Sequence, residues 1–134
     1  MKLGYVLVYV EDVKATMAFY TAAFGFETKM VYEEKGVVDY GELKTGETVL
    51  GFASHSLAEM NLKGQYQKSS LTNSPFGMEL AFVDENVAAA YEKAVGAGAI
   101  AIAPPTEKPW GQTVAYVRGI EGTLIEICSP IAAV

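Results

Sequence analysis

The feature that most constrains this chain is that it states one pattern twice. A tyrosine- and valine-rich strand, an amphipathic helix closed by glycine and then three short strands begin at Leu3, and the same order begins again at Gly77. A repeated unit of this size is one supersecondary element used twice. Two such units each leave a sheet face to be covered, and the groove between paired sheets is a natural place for a small ligand.

In the first copy, Leu3 to Val10 alternates Leu3, Tyr5, Leu7 and Tyr9 with Val6, Val8 and Val10, so both faces of the strand are apolar and both call for cover. Asp12 is suited to cap a helix whose inward stripe is Val13, Met17, Tyr20 and Phe24, with Gly25 as its stop. Glu27 to Glu33, Val37 to Leu43 and Thr48 to Ser54 follow as strands, separated by turns at Gly36 and Gly46. Residues 55–76 turn to Ser, Asn, Gln, Lys and Gly and read as a long linker with one helical turn.

The second copy places a strand at Gly77 to Val83 and a helix from about Glu85, carrying Val87, Tyr91, Ala94 and Val95 before Gly96 and Gly98. Ile100 to Ala103 reads as a short strand stopped by Pro104 and Pro105. Gln112 to Arg118 and Thr123 to Cys128 form a hairpin about Glu121-Gly122. The organisation expected is one domain, 1–134, of class α+β, built of βαβββ modules at 1–54 and 77–134 joined by the 55–76 linker.

Composition narrows the function. A hydrophobic share of 51% against 19% charged excludes a disordered chain and favours surface hidden against a second copy. A net charge of -6 without a Lys/Arg cluster argues against nucleic-acid binding. Cys128 is the sole cysteine, so a disulfide within the chain is impossible and a reducing cytoplasm is the expected compartment. No signal-type segment and no run of about 20 apolar residues is present, so no membrane partner is expected.

Asp12…Phe19-Tyr20…Phe24-Gly25-Phe26 and Pro109-Trp110-Gly111…Gly122-Thr123-Leu124-Ile125-Glu126-Ile127 together resemble the vicinal oxygen chelate superfamily of glyoxalases, extradiol dioxygenases and fosfomycin- and bleomycin-resistance proteins. The resemblance spans essentially the whole chain, and the Pro-Trp-Gly stretch is closest to the bleomycin-resistance members. It implies curved mixed sheets enclosing a cavity, often across a dimer with exchanged halves. It also implies metal ligands on the first and last strands of each module, positions that fall here at Tyr5, Gly51, Met78 and Glu126. Of these only Glu126 is a ligand type for a divalent ion, whereas an open catalytic site normally takes three from His, Glu and Asp. The expectation is no metal and no cofactor. His55, the only histidine, lies beyond the fourth strand and could join only if that strand slipped by several residues.

The candidate ligand-binding residues are therefore Tyr5, Tyr40, Gly51, Met78, Trp110 and Glu126, with Tyr9, Leu80 and Phe82 sharing the concave spacing and Glu126 the one candidate for a catalytic role. Glu126 points into the cavity if Ile125 and Ile127 pack on a helix, either as a ligand-contacting acid or as a remnant of an ancestral metal site tied by hydrogen bonds to Tyr5 or a neighbouring strand. Trp110 either stacks on a planar or cationic ligand or plugs the end of the groove. Cys128, beside Glu126, is a poor nucleophile because a carboxylate discourages the thiolate. The function expected is a metal-independent, homodimeric small-molecule-binding protein that sequesters a toxic or cationic aromatic compound. The alternatives are a glyoxalase-like lyase or isomerase using Glu126 as acid/base, and an interaction module with a filled cavity.

Overall fold

The computed structural model describes residues 1–131 of the 134. The elements run β1 (Tyr5–Val10), α1 (Val13–Phe24), β2 (Glu27–Glu34), β3 (Val37–Lys44), β4 (Val49–Ser54), α2 (His55–Leu62), β5 (Leu80–Val83), α3 (Val87–Gly96), β6 (Ile100–Glu107), β7 (Thr113–Arg118) and β8 (Leu124–Cys128). The chain divides into two compact units, Met1–Ser69 and the part from Ser70 onward. Each unit holds one four-stranded mixed sheet, in the order β1-β4-β3-β2 and β5-β8-β7-β6, so the class is α+β with a repeated βαβββ plan. Among the described residues no helix is long and apolar enough to cross a membrane.

In the first unit the reasons for α1 are local. Asp12 accepts the Ala15 amide at 2.9 Å, and Gly25 takes a left-handed φ of 76° that a residue with a Cβ seldom adopts. The buried side is Val13, Thr16, Met17, Phe19, Tyr20 and Ala23, with Phe24 only half-buried. It packs on the sheet face formed by Val10, Leu43, Leu50 and Phe52, where the Tyr20 and Phe52 rings lie 4.8 Å apart. β1 pairs in parallel with β4, Leu7 opposite Gly51, while Glu42 of β3 faces Gly51 from the other side in antiparallel register.

The second unit repeats the plan. β5 is parallel to β8, with Leu80 opposite Ile125 and Ala81 opposite Glu126, and β7 is antiparallel to β8, with Tyr116 opposite Glu126. Ile125 and Ile127 are fully buried, as are Val114, Ala115 and Val117. Arg118 is buried too, and its guanidinium donates to the carbonyls of Ser70, Asn73 and Gly122 at 2.8 to 3.0 Å, which ties the entry segment of this unit to the β7–β8 turn.

Four expectations from sequence are corrected. The 55–76 stretch carries a helix of eight residues instead of one turn, because Ser54 both ends β4 and caps α2, accepting the Leu57 amide at 3.1 Å. β6 continues through Pro104 and Pro105 to Glu107; it is an edge strand, and the ladder with β7 is irregular there, so the missing N–H groups cost no pairing. β5 begins at Leu80, not Gly77. Finally, Leu80 and Phe82 stand opposite Ile125 and Ile127 and so share the helix-side face of the sheet, while Ala81 shares the face of Glu126.

Candidate functional site

Each unit presents one sheet face away from its helix. In the first unit this face carries Tyr5, Leu7 and Tyr9 from β1, Gly51 from β4 and Tyr40 and Glu42 from β3, as the strand registers require. Tyr5 and Leu7 are exposed, at 56% and 45%, while Glu42 is only 8% exposed. The Tyr40 hydroxyl donates to Glu42 Oε2 at 2.6 Å, a short charge-assisted bond. Burial and then that hydrogen bond push the Tyr40 phenol well above its ordinary value. Glu42, two residues along β3 from Tyr40 and opposite Gly51, is the acid of this face.

Gly51 is crowded by two side chains. A Cβ there would lie 2.5 Å from Leu7 Cδ2 and 3.1 Å from the Tyr40 hydroxyl. The space a ligand-bearing side chain would need at this position is occupied.

In the second unit Glu126 stands on the face opposite α3, across from Tyr116, whose hydroxyl donates to Glu126 Oε1 at 2.9 Å. That hydrogen bond, then burial, pushes Tyr116 up to about 12. Burial, followed by a hydrogen bond with Glu126, pushes Cys128 up to about 11, so its thiol stays protonated at neutral pH. Glu79 belongs to the same cluster: its carboxyl is raised, first by burial and then by the charge of Glu126, and its own charge acts on both Tyr116 and Cys128.

Glu79 also corrects the placement of Met78. Tyr5 precedes the Asp12 cap of α1 by seven residues, and Glu79 precedes the Asn86 cap of α3 by the same interval. Tyr5 lies two residues before Leu7, the partner of Gly51; Glu79 lies two before Ala81, the partner of Glu126. Met78 precedes the strand, is 58% exposed and falls on the parity of Leu80. The signal was available in the cap spacing, but a helix start taken at Glu85 shifts the count by one.

Trp110 sits in the β6–β7 turn, 63% exposed. Its Nε1 donates to Gln112 Oε1 at 2.8 Å, and Gln112 Nε2 in turn donates to the Ser129 carbonyl at 2.9 Å. The indole is thus fixed in orientation with its only donor already engaged, leaving its ring face for contact. His55 opens α2 at the end of the first sheet; its Nδ1 lies 2.7 Å from the Tyr66 hydroxyl, the two rings stack, and Tyr66 also meets Tyr9 at 5.3 Å.

The residues at the four strand positions are therefore Tyr5 and Gly51 in one unit and Glu79 and Glu126 in the other. Taken unit by unit, Tyr5 and Gly51 offer no carboxylate or imidazole and Glu79 and Glu126 offer two carboxylates, so neither pair by itself supplies the three His, Glu or Asp donors of an open divalent centre. Among the described residues no group of three His, Cys, Asp or Glu is placed to hold a metal ion.

Comparison with solved structures places the fold. A glyoxalase/bleomycin resistance protein/dioxygenase family enzyme from Burkholderia phytofirmans PsJN is 24% identical, with 98% of this chain and 100% of that chain covered and a TM-score of 0.83. A glyoxalase-related enzyme from Fulvimarina pelagi is 22% identical over 97% of this chain and 88% of that one, with a TM-score of 0.80. TioX from Micromonospora sp. ML1 is 20% identical over 96% and 98%, with a TM-score of 0.72. No curated protein matches the sequence. The family model matches residues 2–127, which takes in both βαβββ units, and the chain belongs to the Glyoxalase/Bleomycin resistance protein/Dioxygenase superfamily.

Proposed function

We propose that this chain is a metal-independent small-molecule-binding protein of the glyoxalase/bleomycin-resistance type, acting in the cytoplasm as a homodimer and holding a cationic aromatic compound. The observation that carries the reading is Gly51, whose missing side chain leaves no donor and whose space is taken by Leu7 and Tyr40. The helix-free sheet faces offer carboxylates instead, Glu42 in one unit and Glu126 with Glu79 in the other, each sheet supplying a tyrosine hydroxyl to its acid. Carboxylates that face partly apolar surroundings favour an organic cation. Trp110, with its N–H engaged, contributes a ring face suited to planar or positively charged groups.

The test is a binding titration with a cationic aromatic dye and a neutral dye of the same shape, followed by the anisotropy of the dye's own fluorescence. The expected result is a preference for the cation, weakened at least tenfold in Glu126→Gln and in Trp110→Ala. Equal affinity for both dyes, or affinity untouched by either substitution, contradicts the reading.

A second reading, a glyoxalase-like lyase or isomerase, draws on the raised carboxyl of Glu79 beside Glu126, which supplies the proton-exchange partner such chemistry needs. Glu126→Gln separates the two readings. Loss of turnover with affinity retained supports the enzyme, and loss of affinity alone supports the binding protein.

A further inference from the structure

The outer edge of the first sheet is β2, exposed along its whole length and on both faces, including Met30, Val31 and Tyr32 at 39%, 46% and 52%. An eight-residue edge with unpaired backbone groups is a template for another strand. The corresponding edge of the second sheet, β6, carries Pro104 and Pro105 in an irregular stretch and so lacks two of the donors that pairing would use. β2 has no proline; its ladder with β3 shifts register at a bulge at Lys29 and again between Tyr32 and Glu33.

We infer that β2 pairs antiparallel with β2 of a second copy of this chain about a two-fold axis at Val31. The sequence of the strand is self-complementary in that register. Val31 faces Val31, Met30 faces the second copy's Tyr32, and Lys29 faces the second copy's Glu33. Two-fold symmetry doubles each unlike pair, so two opposite-charge pairs flank an apolar centre with a favourable sulfur–aromatic contact. The charges that would otherwise guard an edge strand against chance pairing here select one partner and one register. The bulge at Lys29 confines the regular ladder to the Met30–Tyr32 centre and leaves the flanking charges to fix the alignment.

A second feature lies beside this edge. α1 rests over β3 and β4 and leaves a groove of about 440 Å³ bounded by Lys14, Met17, Ala18 and Ala22 of the helix and by Thr28 and Val31 of β2. Pairing at Val31 sets the grooves of the two copies side by side along one continuous sheet, where small residues at Ala18 and Ala22 leave room for the approach. The pairing deepens the homodimer reading; Met30 and Tyr32 share the sheet face of Glu42 and Tyr40, so the charge reversals at the strand edge, scored by association alone, separate it from ligand binding.

Sedimentation equilibrium of the full chain over a concentration series tests it. The wild type is expected to dimerise. Glu33→Lys and Lys29→Glu each place like charges face to face and should weaken the dimer at least tenfold, while circular dichroism stays native because both positions are exposed. Mixing the two single variants, or combining them in one chain, restores unlike pairs and should restore the dimer. Within one chain the two positions are too far apart along the strand for their exchange to matter. A disulfide at Val31→Cys, at the two-fold axis, gives a second measurement, the native Cys128 being buried. A monomeric wild type, a dimer indifferent to the single charge reversals, or a Val31→Cys dimer that resists crosslinking overturns the inference.

Discussion

Replacing Gly51 by alanine tests whether the ligand position on β4 is filled or merely vacant. If the space were open, alanine would stabilise the strand by about 0.5–1 kcal/mol, because glycine surrenders more backbone freedom on folding. The structure gives the opposite sign. The new Cβ would sit 2.5 Å from Leu7 Cδ2, closer than packed carbons approach, and 3.1 Å from a Tyr40 hydroxyl anchored at 2.6 Å to Glu42. Overpacking of this kind costs about 1–3 kcal/mol, so the net expectation is a loss of about 1 kcal/mol by urea unfolding. The source of the cost can be separated. Leu7 Cδ2 makes the closer of the two contacts, so in a Leu7→Ala background Gly51→Ala should recover about 1 kcal/mol of its cost. A stabilised single variant, or a penalty unchanged when Leu7 is removed, would refute the claim that these two side chains occupy the position.

Two further outcomes follow from the titrating groups. Glu126→Gln removes the negative charge that raises its neighbours and leaves only a neutral acceptor, so spectroscopic titration should show the Tyr116 phenol falling from about 12 toward the ordinary tyrosine value of about 10, and the Cys128 thiol falling from about 11. Unmoved midpoints would remove Glu126 as their cause. His55 is held below its ordinary value by burial and then by Lys68, against an opposing pull from Glu11. The unfolded chain therefore binds this proton more readily, and the contribution to stability is present above about pH 6.5 and lost as pH falls toward the folded-state value. NMR titration of this single histidine, in wild type and Tyr66→Phe, should give a midpoint below that of a free peptide; a midpoint above it contradicts the assignment.

Much of the architecture was legible because its determinants are local. Asp12, Gly25 and the Glu121-Gly122 turn carry their own geometry, and the alternation in β1 and β8 identifies opposite faces without knowledge of what covers them. Glu126 could be assigned to the face away from the helix on that ground alone. What failed was local in another way. Ser54 serves two elements at once, so α2 was hidden behind the end of a strand, and Pro104-Pro105 stops a strand only if the strand is interior. Glu79 was missed because strand parity changes with a single residue and β5 starts late; Asn86, rather than Glu85, is the cap from which the count must run. The tie between Trp110 and Gln112, and the crowding above Gly51, are properties of packing that spacing along a sequence does not encode.

The central claim is that the carboxylates of this fold no longer hold a divalent ion. Isothermal titration of chelator-treated protein with zinc and with nickel, in wild type and Glu126→Gln, addresses it directly. The account predicts no stoichiometric high-affinity site in either protein. One equivalent bound tightly by the wild type and lost in the Glu126→Gln variant would contradict it.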